Sequence, residues 1–313
     1  MTETFTTKAL ATVLAELRRQ GYRHIAVTPL THATVNGRPG NTWAHDLNGI
    51  FGWSRPFHAH ILPDKLFDQM READILTPHE DGWRSLVRVA TLDGLMFLHS
   101  AYPTEAADAV FFGPDTYRFA TAIREALDHC TSPIKRAVDI GCGAGPGAIL
   151  LARAMPKAEV LAVDINPRAL ALTQVNAIHN GTPNVHAVHS NLLSDVTGSF
   201  DFVVANPPYL VDPAQRAYRH GGGPLGADFA LAVIDAAMAR LSPGGTLLLY
   251  TGVAIIGGVD PFRAAAGERL DATGATWSYR EIDPDIFGEE LLNPSYADTD
   301  RIAAVVLTAQ RPL

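Results

Sequence analysis

Arg136-Ala137-Val138-Asp139-Ile140-Gly141-Cys142-Gly143-Ala144-Gly145-Pro146-Gly147 is a short apolar run, then a glycine-rich turn, then the opening of a helical pattern. Strand, loop and helix follow one another within twelve residues. Glycines let a backbone approach a ligand closely and leave main-chain N–H groups free at a helix start. The same alternation continues on both sides. A helix is expected at Asp115 to Asp128, with Asp115 as its N-cap. Further helices are expected from Gly147, from Pro167 and over Asp228 to Leu241, and Pro167 suits a first helical turn. Strands are expected at 136, at Glu159 to Val163, at Asn184 to His189, at 200 and at 246, then near Thr276 to Ile282 and Ile302 to Ala309. From Ala107 onward this is the α/β pattern.

A glycine-rich turn alone serves dinucleotides and S-adenosylmethionine equally well. The second strand ends on Asp164, where a carboxylate can accept hydrogen bonds from both ribose hydroxyls, and that also suits either ligand. The third strand ends on Ser190-Asn191-Leu192. The fourth, Phe200 to Ala205, ends on Asn206-Pro207-Pro208-Tyr209, which dinucleotide enzymes do not need. An amide or exocyclic amino nitrogen is a poor nucleophile because its lone pair is delocalised. Two acceptors on its NH2 draw that pair out of conjugation. The Asn206 side-chain oxygen and the Pro207 carbonyl supply them, and Tyr209 can stack on the planar group. Proline fixes its own φ and donates nothing, so the carbonyls around it stay free. The plain alternative for the tetrapeptide is a Pro-Pro turn that stops a strand.

On these residues, together with Ala162-Val163-Asp164-Ile165-Asn166 and Leu241-Ser242-Pro243-Gly244-Gly245, the chain resembles the class I S-adenosylmethionine-dependent methyltransferases. Within them it resembles the HemK-like group, which includes the glutamine methyltransferases of peptide release factors. The resemblance covers roughly residues 108 to 310. It implies a seven-stranded Rossmann-like domain whose last strand is antiparallel. It also implies a cofactor site in which Asp139 and Gly141 line the methionine end, in a cofactor-binding loop that includes Cys142, Gly143 and Gly145. Asp164 would hold the ribose, Asn191 the adenine and Asn206 the acceptor nitrogen, with Ile165, Leu192 and Asn206 also among the cofactor-binding residues. The family usually carries an acid where this chain has Asn191; an amide can still accept from the adenine amino group. Phe112-Gly113-Pro114-Asp115-Thr116 resembles the family's segment before the first strand. It offers Thr116 to the cofactor and Phe112 to the acceptor. The implied activity is methyl transfer to a planar nitrogen of a protein glutamine or a small metabolite. Adenine-N6 methylation of nucleic acid, small-molecule O-methylation and a non-catalytic cofactor-binding scaffold are the alternatives.

Composition narrows the field. The formal charge is −8, from 25 basic and 33 acidic side chains, and residues 1–105 hold 10 and 11 of these. No basic cluster is present to neutralise phosphates, so nucleic acid is not the expected partner. The two cysteines, Cys130 and Cys142, imply no disulfide framework, and no Cys/His spacing implies a metal. No charged, apolar leader opens the chain, and the most apolar stretch, Thr246 to Val259, is short of the roughly 20 residues that span a bilayer. A cytoplasmic enzyme that makes no membrane contact is expected.

Residues 1–105 have another pattern. Helical runs at Thr7 to Gln20, Trp43 to Trp53 and Asp64 to Ala73 precede two β-like runs, Ser85 to Ala90 and Leu95 to His99, joined across Asp93-Gly94. Three helices and a hairpin predict a smaller, winged-helix-like α+β domain that recognises the acceptor, caps the site or forms a homodimer. Its histidines, His32, His45, His58 and His60, are expected in packing and surface roles rather than in a substrate cleft. The run Arg216 to Gly226, with three consecutive glycines, is either a mobile lid carrying Tyr218, Arg219 and His220 to the acceptor or an ordinary connection. The acidic residues Asp283, Asp285, Glu289 and Glu290 are expected in a solvated loop, and a basic substrate is the alternative reading.

Overall fold

The computed structural model describes residues 2–130 and 132–313, with side chains from residue 7 onward in the first helix. The N-terminal region has four α-helices: α1 (Thr2–Arg19), α2 (Pro29–Asn36), α3 (Leu47–Phe51) and α4 (Asp64–Glu72). Two antiparallel hairpins follow, β1 (Leu76–His79) with β2 (Gly82–Ser85), and β3 (Val87–Leu92) with β4 (Leu95–Ser100). Asp93 and Gly94 both have positive φ, 51° and 76°, the backbone a two-residue hairpin turn requires. The sequence patterns miss α2 and the first hairpin. In α2, Thr and Val lower the helical signal, but the Thr28 hydroxyl caps it by accepting from the Thr31 N–H at 3.2 Å. Pro78 hides β1, since proline marks an edge rather than a strand interior. The helix expected from Trp43 contracts to α3, capped by Asp46 accepting from the Gly49 N–H at 2.7 Å, and Trp43 instead stacks on His58.

The second part is a seven-stranded sheet in the order β10-β11-β9-β8-β5-β6-β7. Its strands are β5 (Arg136–Ile140), β6 (Glu159–Asp164), β7 (Val185–His189), β8 (Phe200–Ala205), β9 (Leu241–Ile255), β10 (Thr276–Asp283) and β11 (Arg301–Gln310). Strands β5 to β9 pair in parallel, and β11 runs antiparallel between β9 and β10, as the resemblance implies. The helices are α5 (Pro114–Asp128), α6 (Pro146–Ala154), α7 (Pro167–His179), α8 (Asp228–Arg240) and α9 (Pro261–Ala272). The parallel order reverses at β5, which has β6 on one side and β8 on the other, and ligands of open α/β sheets bind beyond the strand ends at such a point.

One expectation fails at α5. Its N-cap is Gly113, and Asp115 lies inside the first turn, 3% exposed. Pro114 takes the first helical position, which moves the cap one residue earlier and turns the Asp115 carboxylate into the protein.

The strand residues alternate between two cores. Val138, Ile140, Val203 and Ala205 pack with α8 and α9, while Ala137, Phe202 and Val204 belong to a core that continues through α6 and α7 into α1, α4 and the second hairpin. Two asparagines on α7 complete that junction. The Asn176 amide accepts from the Leu98 N–H at 2.8 Å and donates to the Leu98 carbonyl at 3.0 Å. One helical turn later the Asn180 amide does the same for Met96, at 3.2 and 2.8 Å. The two side chains therefore replace a missing strand along the free edge of β4. No helix among the described residues is long and apolar enough to cross a membrane.

Candidate active site

A cavity of about 280 Å³ opens beyond the ends of β5, β6 and β8. Gly141, Gly143 and Gly145 all have positive φ, at 68°, 55° and 82°. Gly141 has nothing within 4 Å of where a Cβ would stand and Gly143 only Val110 at 4.0 Å, whereas a Cβ on Gly145 would come within 2.8 Å of Thr173. The first two glycines thus leave the cradle bare for a ligand, and the third lets α6 pack on α7. Asp139 is 2% exposed and accepts from the Ala148 N–H at 2.9 Å, which ties the end of β5 to the first turn of α6. Burial pushes its carboxyl up to about 7. Asp164 accepts from the Gly143 N–H at 3.0 Å and the Asn166 N–H at 2.9 Å, so it holds the glycine loop while facing the cavity. Burial raises its pKa, and those backbone N–H groups oppose the rise. The Cys142 thiol is buried, driven well above its usual range by burial, and contacts Thr173 Oγ1 at 3.5 Å. It is a packing residue. These features fit S-adenosylmethionine: a glycine cradle bare of side chains and a carboxylate at the second strand's end.

Of the residues singled out in the sequence, Thr116, Asp139, Gly141, Cys142, Gly143, Asp164, Ile165, Leu192, Asn206, Pro208, Tyr218 and His220 line this cavity. Gly145 and Asn191 are not brought to it. Asn191 is exposed and its N–H donates to Asp195 at 3.2 Å, while its neighbours Ser190 and Leu192 supply the lining. Phe112, expected at the acceptor, lies in neither pocket. It is 1% exposed, packed among Phe97, His99 and Tyr117, and Phe111 lines the cavity in its place. The extended chain before α5 alternates its side chains, so a one-residue difference exchanges core for cavity.

A smaller pocket of about 70 Å³ adjoins the cavity and shares Phe111, Asn206, Pro208 and Tyr218 with it. Pro207, Tyr209, Arg219, Asp115 and Phe287 complete its lining, together with Leu210. Among the described residues neither the Asn206 side chain nor the Pro207 carbonyl has a hydrogen-bond partner. Tyr209 is buried, and its hydroxyl donates to Asp115. Tyr250, which also donates to Asp115, and Phe287 have no signal in the sequence, where Asp115 reads only as a helix cap. Asp115 and Phe287 reach the pocket from α5 and the turns before β11, and Tyr250 stands behind Asp115 on β9.

The glycine-rich run after the motif is packed down. Leu210 and His220 form a bridge, Arg216 clamps Asp212 at 2.7 and 2.8 Å, Tyr218 donates to the Thr104 carbonyl at 2.7 Å, and Arg219 pairs with Glu290. Arg216 holds the Asp212 carboxyl down at about 2. A Cβ on Gly226 would come 2.1 Å from the Tyr209 carbonyl oxygen, and one on Gly221 2.7 Å from the Tyr209 Cα. These glycines serve close approach, and the run packs as a cap over the site. Glu290 and Asp283 are likewise engaged, with Arg219 and Arg118. None of His32, His45, His58 and His60 lines either pocket.

The family described as "Methyltransferase small domain" matches residues 120–253. A release factor glutamine methyltransferase from Deinococcus radiodurans is 35% identical over 198 residues, 60% of this chain and 66% of that protein. One from Escherichia coli is 33% identical over 220 residues, 66% of this chain and 76% of that protein. The chain spans about half the length of other relatives of the same name. A structure of Methanocaldococcus jannaschii Trm5 in complex with adenosine shares the fold, with a TM-score of 0.50 at 18% identity over 75% of this chain and 59% of that one. The cradle, the carboxylate on the second strand and the Asn-Pro-Pro-Tyr pocket thus have one explanation: the chain belongs to the HemK-like family of S-adenosylmethionine-dependent methyltransferases.

Proposed function

We propose that the protein methylates the side-chain amide nitrogen of a glutamine in a protein of the release-factor type. The carrying observation is the small pocket beside the cofactor cavity, where the Asn206 oxygen and the Pro207 carbonyl stand unpartnered. An amide NH2 offers two donors, and two fixed acceptors are its complement. When bound, S-adenosylmethionine supplies a methyl group already activated on a positively charged sulfur. Asp139 and the glycine loop hold its methionine end, and Asp164 its ribose. Asn206 and Pro207 accept the two amide protons and turn the nitrogen lone pair out of conjugation. Phe111 and Tyr218, stacked with centroids 6.0 Å apart, stand where cavity and pocket meet and exclude water there. No strong base is needed, because the nitrogen is acidified once it carries the methyl group. Residues 1–105 form the acceptor-recognition domain in this reading. The names of the relatives support the substrate class.

The test is transfer of labelled methyl from S-adenosylmethionine to purified release factors, with the modified residue located by mass spectrometry. Label on a glutamine of a release factor is expected. Release factors left unlabelled, with label from a parallel incubation with fractionated lysate only in nucleic acid or small molecules, overturn the substrate assignment.

A further inference from the structure

We infer that Asp115 is a positioning residue for the acceptor nitrogen, acting through Tyr209. The inference deepens the proposed function and rests on its assignment of the small pocket to the acceptor. Asp115 belongs to α5, far along the chain from the Asn-Pro-Pro-Tyr turn, yet its carboxylate reaches the floor of that pocket. Tyr209 Oη donates to one carboxylate oxygen at 2.5 Å. The other oxygen accepts from Tyr250 Oη at 2.6 Å and from Arg118 at 3.1 Å, and Arg118 reaches on to Asp283 at 2.7 Å.

A buried carboxylate is costly unless its lone pairs are filled, and here three donors converge on it. One of the three is Tyr209. Its ring lies against the backbone of Gly252, where a Cβ would come within 2.3 Å, and its main chain is wedged by Gly221 and Gly226. Hydroxyl, ring and backbone are therefore each fixed by a different element: α5, β9 and the cap after the motif. Such restraint exceeds what a turn needs. It suits a wall against which a planar amide must lie in one orientation for methyl transfer, where small displacements are expensive. Because its hydroxyl is spent on Asp115, Tyr209 acts through its face, not as a donor or base to the acceptor.

The test is a double-mutant cycle in the full chain with Asp115→Asn and Tyr209→Phe. It is read as kcat and KM for the methylated acceptor, with S-adenosylmethionine affinity measured by calorimetry. Each single substitution is expected to lower kcat roughly tenfold or more while cofactor affinity stays within about threefold, and the double variant to be no worse than the poorer single variant, because both remove one interaction. Multiplying losses in the double variant would overturn the inference, as would a parallel loss of cofactor affinity. Should Asp115→Asn not fold, Tyr209→Phe alone decides: it keeps the ring and deletes only the hydroxyl, and a wild-type kcat refutes the inference. The substrate assignment fails separately, if the wild type labels something other than release factors; the cycle is then run on that acceptor.

Discussion

Asp164 accepts backbone N–H groups on both carboxylate oxygens, holding the glycine loop, and also faces the cavity. Asp164→Ala is expected to weaken S-adenosylmethionine binding by roughly 1–3 kcal/mol, the cost of unpaired buried donors. Calorimetric titration measures it; unchanged affinity would remove the ribose assignment. Asp139 gives a pH prediction. Its folded pKa, raised by burial from 3.8 to about 7, lies above the unfolded value, so the folded state favours the protonated form. The stability it contributes is full below about pH 4 and is lost as pH rises through about 7. Asp139→Asn is expected to flatten the fall in thermal midpoint over that window, and an unaltered slope refutes the assignment. At this scale the sequence was informative wherever chemistry demands a residue type in a spacing. Asp139, Asp164 and Asn206 all sit at strand ends and line the cavity. It was uninformative for Asp115, Tyr250 and Phe287, whose roles depend on which distant elements meet. It misled at Phe112, because one residue of alternation decides which aromatic faces the ligand.

At the scale of elements, the parallel strands and their helices were legible because buried strands and capped helices carry strong local patterns. The cap after the motif was not, since glycine permits mobility and close approach equally. Gly226 has φ 77° and no room for a Cβ beside Tyr209. Gly226→Ala is expected to lower the unfolding free energy by about 1–3 kcal/mol and to reduce turnover, as urea unfolding and initial rates would show. A variant as stable and active as the wild type means the run is a loose connection. Asn176 makes a comparable prediction on α7. It bonds Leu98 and also donates to the Ala144 carbonyl in the glycine loop at 2.8 Å. Removing it leaves buried backbone groups unpaired, so Asn176→Ala is expected to cost on the order of 3 kcal/mol in urea unfolding. A loss below about 1 kcal/mol would show that the junction relaxes without it.

For the whole molecule, the two sequence patterns suggest two units, but one core runs from α1 and the second hairpin through α7 to the sheet. The sequence could not show this, because a buried apolar face carries no mark of what covers it. A fragment of residues 106–313 leaves that face bare and is expected to bind hydrophobic dye and unfold without cooperativity. A soluble fragment with a sharp transition would contradict the shared core. In the proposed mechanism cofactor binding and acceptor positioning are separable, one at the glycine loop and the other at Asn206 to Tyr209. The most direct measurement compares Asn206→Ala with wild type in both cofactor affinity and single-turnover methylation of the acceptor. Affinity within about threefold of wild type and methyl transfer slower by roughly 100-fold or more are expected. Methyl transfer at the wild-type rate would contradict that mechanism and reduce the motif to a structural turn.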